Sequence, residues 1–162
     1  MTATAPELAA RYLEFDKLSN VWDGLYRDMA TSMGFSDSAF QILFALAQLG
    51  EGCLQRDICS AVCLSKQTVG SSIHKLKNEG ILVLEPAEKG RGTRVFLTEE
   101  GRRILDERVR PVYEADLEVF ASFGAEGTEA FILMWREYMQ RLEKAFEKLK
   151  ASREARKDGA LS

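Results

Sequence analysis

The chain has 162 residues, of which 46% are apolar and 29% charged, with a formal net charge of −3. That is about one domain, long enough to bury roughly 70% of its unfolded surface; it excludes a disordered polymer and a fold that depends on disulfide or metal staples. No apolar run nears the roughly 18 residues of a membrane span, acids interrupt the first 30 residues where an export signal would stand, and three cysteines make no disulfide framework, so the expectation is a cytoplasmic protein that avoids the membrane.

Residues 7–33 read as one long amphipathic helix. Leu8, Tyr12, Phe15, Leu18, Trp22, Leu25 and Met29 recur at steps of three and four, which places them on one face. Gly34 ends it, and Ser36 offers a hydroxyl to cap a second helix buried through Phe40, Leu43, Phe44 and Ala47. Gly50 and Gly52 close that helix. A short helix over 54–62 follows, with Ile58, Cys59, Ala61 and Val62 as its apolar positions. Ser65 then caps a helix over 66–79 whose buried face is Val69, Ile73 and Leu76, and Gly80 stops it. The periodicity next turns strand-like: 81–85 and 94–97 read as a hairpin with a charged tip that contains Pro86, Gly90 and Gly92. Thr98, followed by Glu99 and Glu100, restarts a helix that runs towards Phe123. Pro111 inside it predicts a kink or break near 107–111. Gly124 and Gly127 predict a loop. The last helix is expected from about Thr128, with Phe131, Trp135, Tyr138, Leu142, Phe146 and Leu149 on one stripe.

This order predicts a mainly α fold with a small β-hairpin wing, a winged helix-turn-helix with long N- and C-terminal dimerisation helices. The expected division is 1–35 for N-terminal dimerisation, 36–100 for the DNA-binding lobe and 101–151 for the C-terminal helices, with a frayed tail over 152–162. Two long amphipathic helices carry more apolar surface than one small lobe can cover, and a homodimer is the simplest answer.

Charge is unevenly placed. Residues 54–97 hold seven Lys and Arg against four Asp and Glu, while both flanks are net acidic, so only the middle is suited to approach a polyanion. Within it, the face of helix 66–79 opposite its apolar side is centred on Gln67, Ser71 and His74, with Thr68, Gly70 and Lys75 beside them and no acid. Glutamine can pair with adenine, hydroxyls suit either partner, and lysine meets guanine or phosphate, as a major-groove reader needs. Gln55, Lys66, Lys89, Arg91 and Arg94 complete the expected set of DNA contacts. Gly70 costs its helix about 1 kcal/mol relative to alanine, which close approach of another backbone would explain.

Residues 40–49, the stretch LQRDICSAVCLSKQTVGSSIHKLKNEGIL over 54–82 and the wing ending in FLTEEG over 96–101 resemble the MarR (multiple antibiotic resistance regulator) family of bacterial repressors. The resemblance implies interlocking terminal helices in a homodimer, recognition helices in successive major grooves of double-stranded DNA and a wing arginine, here Arg91, near the minor groove. It also implies a small aromatic or phenolic effector bound between the dimer interface and the DNA-binding lobe; Trp22, Tyr26 and Phe44 are the candidate lining. Two positions depart from the family pattern. Lys89 stands where an acid would pair with the wing arginine, and Cys63 replaces a glycine of the turn, which must therefore avoid a left-handed backbone or strain to reach it.

Cys53, Cys59, Cys63 and His74 lack the close C-x2-C pair of structural zinc, so neither a metal nor another cofactor is expected. No nucleophile–base pair, nucleotide loop or carboxylate pair marks an enzyme. Two rival readings stay open: a winged-helix protein-interaction module without an operator, and a thiol-based redox-sensing regulator.

Overall fold

The computed structural model describes residues 4–87 and 92–159. Helix α1 (Ala5–Ser32) starts at Thr4, whose backbone N–H donates to the Glu7 carboxylate at 2.8 Å. That interaction holds Glu7 below the usual carboxylate range. Helix α2 (Asp37–Leu49) is capped by the Ser36 hydroxyl, which accepts from the Ala39 N–H. Helices α3 (Gln55–Ala61) and α4 (Lys66–Asn78) follow, then strands β1 (Leu82–Pro86) and β2 (Thr93–Leu97). The strands are antiparallel, in a register that sets Leu82 opposite Leu97 and Glu85 opposite Arg94. Winged helix-turn-helix architecture, with long terminal helices, is therefore what the sequence folds into.

The core lies among α2, α3, α4, the wing and the helix after it. Ile42, Leu43, Ile58, Val69, Ile73, Leu82, Val95 and Val109 are all fully buried, each contributing about 1.5–3 kcal/mol. Among the described residues one polar side chain joins them. Ser72 is buried on the inner face of α4, and its hydroxyl donates to Ser38 Oγ at 2.9 Å, tying α4 to the start of α2.

Two glycines explain the joint between α4, β1 and the helix after the wing. Gly80 takes φ 74°, a conformation that glycine adopts without strain, so the chain reverses and the Ile81 N–H donates to the Leu76 carbonyl. Helix α5 (Glu99–Ile104) is capped by Thr98, whose hydroxyl accepts from the Gly101 N–H and donates to the Gly80 carbonyl at 2.6 Å. Gly101 lies against the backbone of Ile81, where a Cβ would come within 2.1 Å of the carbonyl oxygen. The wing's LT-x-x-G is thus a cap plus a close packing of helix on strand.

Downstream of α5 the ladder widens. A π-helical turn, α6 (Leu105–Val109), lets the Arg110 N–H reach the Leu105 carbonyl, and a regular helix, α7 (Arg110–Ala121), resumes. This is the form taken by the disturbance expected at Pro111: the ring lacks an N–H and crowds the Glu107 carbonyl, and a wider turn absorbs both. The loop expected at Gly124 and Gly127 is a two-residue turn, Ser122 and Phe123, closed by Gly124 at φ 70°. Helix α8 (Gly124–Gly159) begins at Gly124, four residues before the expected start, and Gly127 lies inside it. It also runs past residue 151, so much of the segment expected as a frayed tail is helical.

The chain packs as two units, Met1–Glu114 and Ala115–Ser162. In the second, Phe120 rests edge-on against Phe131, which stacks on Trp135. In the first, α1 buries only Ala30, leaving Leu8, Leu18 and Leu25 more than 60% exposed. Among the described residues no helix is long and apolar enough to cross a membrane.

Candidate nucleic-acid interface

Burial of Val69, Ser72, Ile73 and Leu76 turns the opposite face of α4 outward. Ser65 caps the helix, its hydroxyl accepting from the Thr68 N–H at 3.1 Å, and Thr68 Oγ1 lies 2.8 Å from that same hydroxyl. Thr68 therefore belongs partly to the cap. Ser71 is exposed and donates to the Thr68 carbonyl, which leaves its oxygen as an acceptor. Gln67 and His74 are exposed, and neither side chain hydrogen-bonds to another described residue. Lys75 pairs loosely with Glu79 at 3.9 Å, which offsets part of its charge, while Lys66 stands exposed in the first turn. No acid lies between Lys66 and Asn78.

Helix α3 braces this face. The Asp57 carboxylate accepts from the Leu54 N–H at 3.2 Å and fixes the start of α3. Gln55, on its first turn, brings its amide nitrogen to within 3.8 Å of where a Cβ would stand on Gly70. The neighbouring Arg56, outside the set expected from sequence, has a side chain 73% exposed beside its weak partner Asp57. Its place one residue after Gln55 was the available signal. The turn between α3 and α4 solves the Cys63 problem by avoidance, since no described residue other than glycine has a positive φ.

The wing is joined to α3 as well as to itself. The Gly52 N–H donates to the Val95 carbonyl, the Val95 N–H donates to the Cys53 carbonyl, and Leu54 bridges to Arg94. Arg94 Nη1 donates to the Gly52 carbonyl at 2.9 Å, so this arginine, one pair from the tip end of the hairpin, is tied back to the segment before α3. Lys89 and Arg91 lie outside the described residues.

The three effector candidates come together in one aromatic cluster of the first unit. Trp22 and Tyr26 ring centroids are 6.4 Å apart, and Tyr26 meets Phe44 edge-on at 5.6 Å. Phe40 and Tyr113, which the sequence did not single out, extend the cluster: both touch Phe44, at 5.6 and 5.8 Å. Phe40 is fully buried, so the cluster is rooted in the core.

Cys53 is half-buried, and burial together with the negative charge of Asp57 pushes its thiol pKa up. Cys59 packs against the core and Cys63 is exposed. Among the described residues no three His, Cys, Asp or Glu side chains converge as a metal site would require.

Comparison with known proteins agrees with this geometry. Residues 33–91 match the sequence profile of the MarR family. Among solved structures, NMB1585, a MarR family regulator from Neisseria meningitidis, superposes with a TM-score of 0.70 at 23% identity, over 87% of this chain and 96% of that one. AbsC, a MarR family transcriptional regulator from Streptomyces coelicolor, gives 0.66 at 18% identity, over 89% and 99%. BpsR of Bordetella bronchiseptica, whose DNA binding is regulated by 6-hydroxynicotinic acid, gives 0.55 at 20% identity, over 78% and 98%. At these identities the likeness shows the fold. No curated protein sequence matches the chain significantly.

Proposed function

For a chain that carries the MarR family segment over residues 33–91 on the fold of that family's solved transcriptional regulators, we propose a homodimeric repressor that reads a palindromic operator. The observation that carries the reading is the outer face of α4: acid-free, exposed, supplied with hydrogen-bonding side chains and fixed by a buried opposite face. Gln67, Ser71 and His74 would meet base edges in the major groove. Gln55, Arg56, Lys66 and Lys75 would meet phosphates, with Thr68 at the border, and Lys89 and Arg91 would bring the wing tip to the minor groove. Arg94, tied to the Gly52 carbonyl, would brace the wing against the segment before α3.

A second copy covers the apolar residues that α1 and α8 leave exposed, and the dimer sets two α4 helices about 34 Å apart, one turn of B-DNA. An aromatic effector at Trp22, Tyr26 and Phe44 would touch α1 and α2 together, the elements that join the dimer region to the reading lobe. Binding better to a dimer of different spacing, it would release DNA by its differential affinity. The reading is that of a non-enzymatic regulator working in the cytoplasm.

The test is selection of bound duplexes from a random library with the full chain, followed by titration across salt. A preference of about 10³ or more for the selected duplex over scrambled DNA supports operator reading. No enrichment at all favours the protein-docking module instead. The raised pKa of Cys53 argues against that residue as a thiol sensor, because the thiolate is the reactive form.

A further inference from the structure

Gly70 interrupts the ridge that α4 turns outward. Gln67, Gly70 and His74 follow one another at steps of three and four, so they share one line along the helix. The two neighbours can donate and accept hydrogen bonds. Gly70 presents only its Cα hydrogens, because its N–H and carbonyl are used within the helix.

The fold does not require glycine at this position. Its φ is not in the left-handed region, and an added Cβ would meet only the Gln55 amide nitrogen, at an ordinary 3.8 Å. Alanine would fit the chain and favour the helix. What remains is a small notch on the outer face beside the Gln55 amide, between Gln67 and His74 along the helix.

We propose, resting on the DNA-reading function above, that Gly70 is a specificity-determining position whose notch receives the C5-methyl group of an operator thymine. In the major groove a base pair presents donors, acceptors and one apolar protrusion, the thymine methyl. Gly70 itself offers no donor or acceptor there, so a polar base edge set over its Cα would rely on a neighbouring side chain for its partner or stay unpaired, which is costly. The methyl needs no partner, and it is the size of the Cβ that glycine lacks.

The experiment compares wild type with Gly70→Ala on the selected duplex, and on versions in which each thymine in turn becomes deoxyuridine, which lacks only the methyl. The variant should unfold about 3 °C higher and bind the selected duplex roughly five- to a hundredfold more weakly, because the methyl now meets a filled site. Wild type should lose about fourfold on removal of one particular thymine methyl in each half-site. Gly70→Ala should show the reverse preference there and regain most of its lost affinity on that deoxyuridine duplex, because the overpacking goes with the methyl. Equal binding of the selected duplex by both proteins, or indifference of wild type to every deoxyuridine, overturns this inference and leaves the DNA-reading function standing. Failure of wild type to select any duplex overturns both.

Discussion

Replacing Gly101 by alanine should destabilise the whole reading lobe, although the glycine sits in a helix where alanine is normally preferred. An added Cβ would stand 2.1 Å from the Ile81 carbonyl oxygen and 3.0 Å from its carbon, with Leu97 Cδ2 at 3.3 Å. Backbone cannot swing aside as a side chain can, so α5 must retreat by about 1 Å to restore ordinary contact. The Ile81 carbonyl also accepts from the Thr98 N–H at 3.0 Å, and Thr98 caps the helix that would move. Overpacking costs about 1–3 kcal/mol and a weakened cap about 1 kcal/mol, while alanine's helix propensity returns about 1 kcal/mol. The net loss is about 2 kcal/mol, or a Tm lower by about 4–8 °C at this chain length. Thermal unfolding followed by circular dichroism measures it. A Gly101→Ala protein that unfolds at or above the wild-type temperature would refute the close-packing argument.

Two further outcomes follow from the same geometry. Leu18→Arg combined with Leu25→Arg places two charges on the apolar face of α1 that this chain leaves open. Sedimentation should show the variant as a folded monomer at micromolar concentration and wild type as a dimer; a wild-type monomer or an undisturbed variant dimer counts against the interface. Exposed Cys63 should react first with a thiol reagent at neutral pH, and Cys53, half-buried with its pKa raised, much more slowly. Mass spectrometry of the modified peptides decides the order, and fast labelling of Cys53 in the native protein would contradict it.

Local signals carried most of the fold. Ser36, Ser65 and Thr98 cap helices as their sequence positions suggest, because capping depends on residues three apart and hardly on the rest of the chain. Gly80 and Pro111 are legible for the same reason: a kink or break is expected near 107–111, and the chain takes it as a π-helical turn over Leu105–Val109. The long-range ties were not legible. Ser72 looks like one more hydroxyl of α4 until folding brings it to Ser38, 34 residues away. Arg94 looks like a wing cation until β2 pairs with the segment before α3 and delivers the Gly52 carbonyl to it. Gly124 does mark the break, taking φ 70° after the turn of Ser122 and Phe123, whereas Gly127 lies inside α8, because glycine weakens a helix without forbidding it. The outward placing of Gln67, Ser71 and His74, opposite the buried face of α4, is readable from helical period alone.

The central claim is that α4 reads sequence while the wing supplies general affinity. The direct measurement is binding of wild type, Gln67→Ala and Lys89→Ala to the selected duplex and to scrambled DNA across a salt series. Gln67→Ala should lose about 1–3 kcal/mol on the selected duplex and little on scrambled DNA. Lys89→Ala should weaken both duplexes alike and reduce the salt slope by about one unit. If Gln67→Ala weakens both duplexes equally while Lys89→Ala changes sequence preference and leaves the salt slope untouched, the assignment of reading to α4 is contradicted.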